Sequence, residues 1–190
     1  MRFMLTTAPL MLALGLAAPV LAGPVTDAAT AVETAAAADD FNAWFQANEA
    51  LLEAAWTVPG LHFGNIVNTT VPAPVYGNFE ERADTVYAPG EPILIYAEPR
   101  GYGYGDIGGG MLEIAFGVDL RVLDPAGTVL LEMPEFSTFT LQSRAKAREL
   151  MFNLSVSLDG APPGDYQLEF TFNDRYGGQS DSFVSNITIK

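Results

Sequence analysis

Residues 101–123 read GYGYGDIGGGMLEIAFGVDLRVL, and their second half decides the fold. Gly103, Gly105 and Gly108 stand at the spacing G-x-G-x-x-G, after a strand-like run PILIYAE at residues 92–98. Asp124 lies about 20 residues on, where a ribose-binding acid would stand in a dinucleotide site. Such a site needs a helix directly after the glycines, because the first N–H groups of that helix hold the pyrophosphate. No helical stripe follows here. Leu112, Ile114, Phe116, Val118, Leu120 and Val122 alternate with Glu113, Ala115, Gly117, Asp119 and Arg121. A strict period of two describes a strand with one face buried. The glycines therefore read as an inter-strand loop, where they supply positive φ. The side chains left over, Arg100, Tyr102, Tyr104 and Asp106, form a candidate binding surface on an adaptable loop.

The same period recurs downstream. Ile93, Ile95 and Ala97 alternate with Leu94, Tyr96 and Glu98. Residues 124–127 (DPAG) make a turn, residues 128–133 a hairpin partner, and residues 136–141 a further short strand. Leu150, Phe152, Leu154, Val156 and Leu158 share one parity, as do Tyr166, Leu168, Phe170 and Phe172. Turns at residues 159–164 and 173–180 separate these from a last strand with Phe183, Ile187 and Ile189. About seven short strands with turns between them predict an antiparallel β-sandwich over residues 92–190. Arg144, Lys146 and Arg148 carry the parity of the next strand's buried face. Three unpaired cations in a core are prohibitive, so a loop or short helix is expected there, a solvated connector or a docking point for an acidic partner. Counting strand directions places the glycine loop with the turn at 159–164. It places the basic cluster with the turns at 124–127 and 173–180.

Upstream, residues 1–22 have a positive start at Arg2, an apolar run and a V-L-A ending. That is the pattern of a secretory signal peptide cleaved after Ala22. The expectation is an exported chain, periplasmic or extracellular, with no stable membrane insertion once the signal is removed. Residues 23–38 read as a flexible Ala-rich segment or the frayed start of a helix. Over residues 39–56, Phe41, Trp44, Phe45, Asn48, Leu51, Leu52, Ala55 and Trp56 fall on one face of an amphipathic helix. Asp39 can cap it and Pro59-Gly60 stops it. A face with four aromatic rings should bury, against this chain or a partner's groove. Residues 57–91 read as a turn-rich segment wrapping a larger body.

The stretch PPGDYQLEFTFND (residues 162–174), followed by SFVSNITI (182–189), resembles the final hairpin of immunoglobulin-like and fibronectin type III-like sandwiches in bacterial exported proteins. Its G-D-Y-x-L start resembles a tyrosine corner with Tyr166 as the ring. YAPGEPILIYAEP (residues 87–99) looks like uncharacterised bacterial secreted proteins built around such a domain. The resemblance spans about residues 85–190. It implies an immunoglobulin-like sandwich without the cysteine pair, and a fold rather than an activity.

The formal charge is −14, with no cysteine and a single histidine, His62. Removing residues 1–22 takes away Arg2 and no acid, leaving −15. This opposes nucleic acid and anionic lipid. Lack of cysteine removes thiol chemistry and thiolate metal sites, and one histidine argues against zinc. Calcium needs only oxygens, and Asn173, Asp174 and Asp181 around a turn are its candidate ligands. No G-x-S-x-G elbow is present, and a Ser-His-Asp triad would have to use His62. The sequence therefore favours a non-enzymatic binding or scaffolding module acting on a protein partner. Its alternatives are a small-ligand module for carbohydrate or calcium, then a hydrolase.

Overall fold

A computed structural model describes residues 23–190; the signal-peptide reading falls on residues 1–22, outside the described part. The chain is mainly β, with two helices and nine strands among the described residues. It divides into two compact units, one ending at Leu51 and one spanning Leu52–Lys190.

The first unit holds helix α1 (Pro24–Ala37) and most of α2 (Phe41–Trp56). The Ala-rich stretch is thus a regular helix with Pro24 in its first turn, a position where a missing N–H costs nothing. Asp39, at φ 53°, separates the two helices. Asp40 Oδ1 then accepts the N–H of Ala43 at 3.0 Å and caps α2. Of the four rings on the face the sequence expected to be buried, Phe41, Trp44 and Phe45 are exposed, Phe41 at 72%, whereas Trp56, which belongs to the second unit, is half-buried against the core. A shallow groove of about 540 Å³ is lined by Ala31, Thr34 and Ala35 of α1 and by Ala43 and Ala47 of α2. A second groove in this unit is lined by Ala35 and Ala36 of α1 and by Phe41 and Trp44 of α2, and the rings there stay exposed.

The second unit is built on two sheets. Strands β1 (His62–Thr69), β3 (Ile93–Arg100) and β7 (Phe152–Val156) form an antiparallel sheet in the order β1-β3-β7. The other sheet contains β2 (Val86–Tyr87), β4 (Gly105–Gly108), β5 (Met111–Leu123), β6 (Val129–Ser143), β8 (Gly164–Asp174) and β9 (Ser180–Ile189). Its order is β2-β9-β8-β5, with β4 and β6 also pairing with β5. Every pairing in it is antiparallel except β2 with β9. The alternation in the sequence explains the core. Ile93, Ile95, Ala97, Phe152, Leu154 and Val156 from the first sheet share one buried cluster with Phe116, Val118, Leu120, Leu168, Phe170 and Phe172 from the second. Phe172 is fully buried and has ring neighbours in Phe63, Phe152 and Phe183 at 4.8, 4.9 and 5.9 Å.

Residues 57–91, read as a wrapping segment, also supply β1 and β2. The rest of the segment covers the outer face of β3. Phe79 packs on Tyr96 at 4.6 Å, and the Gly77 N–H donates to Tyr96 Oη. Beneath this cover lies Glu98, 1% exposed. Tyr96 Oη donates to its Oε1 at 2.7 Å, and Arg100 bonds its Oε2 at 3.2 Å. Burial pushes the Glu98 carboxyl up. Hydrogen bonds from Tyr96, Asn65, Arg100 and Tyr76 outweigh that and hold it below its ordinary value of 4.5. A carboxyl lowered by folding stabilises the fold above its unfolded pKa, and that stability is lost as pH falls through the folded value. Thermal midpoints should therefore drop as pH falls below about 4.5, and more steeply in the native protein than in Glu98→Gln. Parallel profiles would contradict this account of Glu98.

The two expected strands at 128–133 and 136–141 are one strand, β6. Its register with β5 jumps between Met133↔Leu120 and Ser137↔Val118. Pro134 and Glu135, the latter at φ 50°, form the bulge. The bulge looks like a turn in the sequence but does not reverse the chain. All later strand directions therefore shift by one relative to the sequence-based count. The glycine loop shares its end of the sheets with the basic segment and the β8–β9 turn, not with the turn at 159–164.

Candidate functional site

At that end the glycine spacing acquires a structural meaning. Asp174, the last residue of β8, is 4% exposed. Its Oδ1 accepts the N–H groups of Tyr176 at 3.0 Å and Gly177 at 2.9 Å, closing the β8–β9 turn. Its Oδ2 accepts the Gly103 N–H at 2.7 Å, tying the glycine loop to that turn. A Cβ on Gly103 would lie 2.3 Å from the backbone nitrogen of Gly177. On Gly105 it would lie 2.1 Å from the Tyr176 ring. The first glycine of the spacing thus permits close approach of two backbones, the second leaves room for the Tyr176 ring, and Gly108, at φ 86°, turns the chain into β5.

The four loop side chains proposed as a binding surface do not form one. Tyr102 is fully buried. Its ring packs on Trp56 at 5.1 Å and Phe116 at 5.9 Å, and Trp56 Nε1 donates to the Tyr102 carbonyl at 2.9 Å. The hydroxyls of Tyr102 and Tyr104 both donate to the carbonyl of Ala147, at 2.8 and 2.7 Å. Burial pushes the Tyr104 hydroxyl up to about 12 and raises that of Tyr102 as well. Arg100 lies against Gly64 and pairs with Glu98 on the outer face of β3. Asp106 is exposed, its Oδ1 accepting the Gly108 N–H at 2.8 Å. The loop folds inward, and its tyrosines anchor the basic segment instead of facing solvent.

That segment, residues 144–151, is irregular, as its three cations require. Lys146 Nζ donates to Glu53 Oε1, and Arg148 reaches Glu53 Oε2 at 3.4 Å. Arg144 donates to the Gly109 carbonyl at 3.2 Å. The proposed calcium ligands are also dispersed. Asp174 spends its carboxylate on three backbone N–H groups. Asn173 points to the opposite face of the sheet, where its Nδ2 donates to Asp119 Oδ2 at 2.9 Å. Asp181 Oδ1 accepts the Ser182 N–H. Among the described residues no three His, Cys, Asp or Glu side chains gather as a metal site. His62 Nδ1 lies 2.9 Å from the Gly60 carbonyl.

The other end of the unit offers the larger opening. A cleft of about 480 Å³ lies between the start of β6 and the β7–β8 connection. Val122, Leu130, Leu131, Leu158, Ala161 and Tyr166 give it apolar walls, and Asp159 is its one acid. Tyr166 is fixed there by its hydroxyl, which donates to the Pro162 carbonyl at 2.7 Å. Leu131 and Met133 stand opposite Val122 and Leu120, on the core-facing side of the sheet. They nonetheless remain 47% and 40% exposed, because the smaller sheet ends at β7 and does not reach over them. Val129 and Leu130 are exposed too. The edge of β6 away from β5 pairs with no strand among the described residues. Sequence reasoning missed this site because alternation reports which face is apolar, not whether the opposing sheet is wide enough to cover it.

No protein-family model matches the chain, and no curated protein matches it. Among solved structures, it is similar to Spo0M, a sporulation control protein from Bacillus subtilis, with 16% identity over 67% of this chain and a TM-score of 0.33. A second is the Pseudomonas fluorescens alkylpurine DNA glycosylase AlkC bound to DNA containing an abasic site analog, with 11% identity over 78% of this chain and a TM-score of 0.34. This chain spans 50% of the first protein and 38% of the second. Likenesses at that level carry no argument about activity. No helix among the described residues is long and apolar enough to cross a membrane.

Proposed function

We propose that the chain is an exported, immunoglobulin-like binding module without catalytic activity. It takes an extended segment of a partner protein onto the free edge of β6. The observation that carries this reading is the uncovered stretch Val129–Met133, of which Leu130 and Leu131 line an open apolar cleft. Exposed edges are ready-made templates for strand addition, in which backbone bonds supply affinity and side-chain pockets supply selectivity.

Several features support the immunoglobulin-like part. The strand order β1-β3-β7 against β6-β5-β8-β9, with β2 added in parallel to β9, follows the sandwich order of that fold. Tyr166 makes the hydrogen bond of a tyrosine corner, and Leu168 stands two residues on, where an immunoglobulin domain has its second cysteine. In the constant-type order a fourth strand lies beside the counterpart of β7. Here that place is open, which leaves the cleft uncovered. A carbohydrate would find mostly aliphatic walls in the cleft, whereas an extended segment would find both apolar contacts and an unpaired backbone.

The test places a photo-crosslinking side chain at Leu130, and at Val184 as a control. Val184 is similarly exposed, on β9. Both variants are expressed in the producing cell with the native leader. The expected result is a mature chain beginning at Gly23 outside the cytoplasm, and an adduct from position 130 only, joined to an extended segment of one protein. Equal adducts from both positions, or none from 130, would sink the reading.

A further inference from the structure

We infer that the β6 edge selects a segment in which a basic residue stands between two apolar ones; this rests on the strand-addition reading above. Directly opposed residues on neighbouring strands lie on the same face of a sheet, with Cβ atoms about 5 Å apart. Across the outer face at this position the rows are Glu169 on β8, Arg121 on β5 and Glu132 on β6. Arg121 Nη1 donates to Glu169 Oε1 at 2.7 Å. The row therefore reads acid, base, acid, and it ends at the free edge on exposed Glu132. A strand added to that edge places one side chain opposite Glu132. Lys or Arg there continues the alternation, and Asp or Glu opposes it. The two neighbours of that side chain fall on the other face, one opposite Leu131, which lines the cleft, and one opposite Met133, an exposed apolar side chain, so both are apolar.

Charge also decides between occupants. The chain carries −14, and among the cleft-lining residues Asp159 is charged and no basic residue occurs. Two copies joined edge to edge over this stretch would bring their Glu132 side chains and their net charges together. Like charges across strands destabilise pairing, so a basic segment of another protein is the occupant that fits. Pro134 lacks an N–H and, with Glu135, forms the bulge that bounds the pairing stretch at Met133.

The experiment is a titration of isotope-labelled protein spanning residues 23–190 with two synthetic peptides. Both are alternating apolar and polar strands, identical except for Lys or Glu at the central polar position. Binding is read from amide shifts and exchange protection at Val129–Met133. The expected result at low salt is at least threefold tighter binding of the Lys peptide. The preference should disappear in Glu132→Gln and reverse in Glu132→Lys. If both peptides protect β6 with equal affinity in the native protein, the charge selection is wrong while strand addition stands. If neither peptide perturbs β6, or the shifts lie elsewhere, both are wrong. Glu132→Gln removes the charge without placing a cation beside Arg121, so the test survives any misfolding of the Lys variant.

Discussion

Asp174→Ala should lower the stability of the protein by about 3 kcal/mol, since three part-buried backbone N–H groups lose their acceptor and each such bond contributes about 1 kcal/mol. Domains have only about 5–15 kcal/mol in total, so this is a large share. For a domain of this length it corresponds to a fall of roughly 6–12 °C in thermal midpoint. Two tertiary links fail at once, because Oδ1 closes the β8–β9 turn and Oδ2 holds the glycine loop. Asp174→Asn should be milder. Its amide keeps one accepting oxygen, which can serve either the turn or the loop but not both. Urea midpoints of the two variants check this, and a loss below about 1 kcal/mol in Asp174→Ala would contradict the role assigned to the carboxylate.

Gly103→Ala should be as damaging by a different route. The added methyl would sit 2.3 Å from Gly177 N, 2.6 Å from its Cα and 2.7 Å from the Tyr176 carbonyl carbon. All three atoms are backbone, so no side chain can swing away, and the loop must part from the turn. Overpacking of this kind costs about 1–3 kcal/mol and occasionally more, and here it also stretches the bond from Gly103 to Asp174. Gly108→Ala is the comparison. Its added methyl meets nothing within 4 Å, and only the φ of 86° opposes it, at a cost of about 1–2 kcal/mol. A larger loss at Gly103 than at Gly108 is expected in chemical denaturation. The reverse order would mean that turn conformation, not close approach, explains the glycines.

Much of this fold is legible in the sequence. The six-fold alternation of residues 112–122 defines β5, and the alternations around Phe152, Phe170 and Phe183 define β7, β8 and β9. The irregular segment at Arg144, Lys146 and Arg148 follows from the cost of burying cations. Other features depend on long-range packing. β1 contains Gly64 and Asn65 and has no clean period, and its register with β3 breaks between Phe63 and Ile66. Pro134-Glu135 imitates a turn, so a count of strand directions fails beyond it. Tyr102 and Tyr104 look like exposed loop aromatics, and only the arrival of Trp56 and Ala147 from distant positions buries the first and half-buries the second. The cleft is the least legible feature, since it arises from a difference in width between two sheets.

The most direct test of the central claim is hydrogen exchange of the protein spanning residues 23–190, alone and with the segment captured at position 130. The account predicts slowed exchange at Val129–Met133 on binding, with little change in the glycine loop or the β8–β9 turn. Protection confined to the glycine-loop end, or no protection along β6, would contradict it.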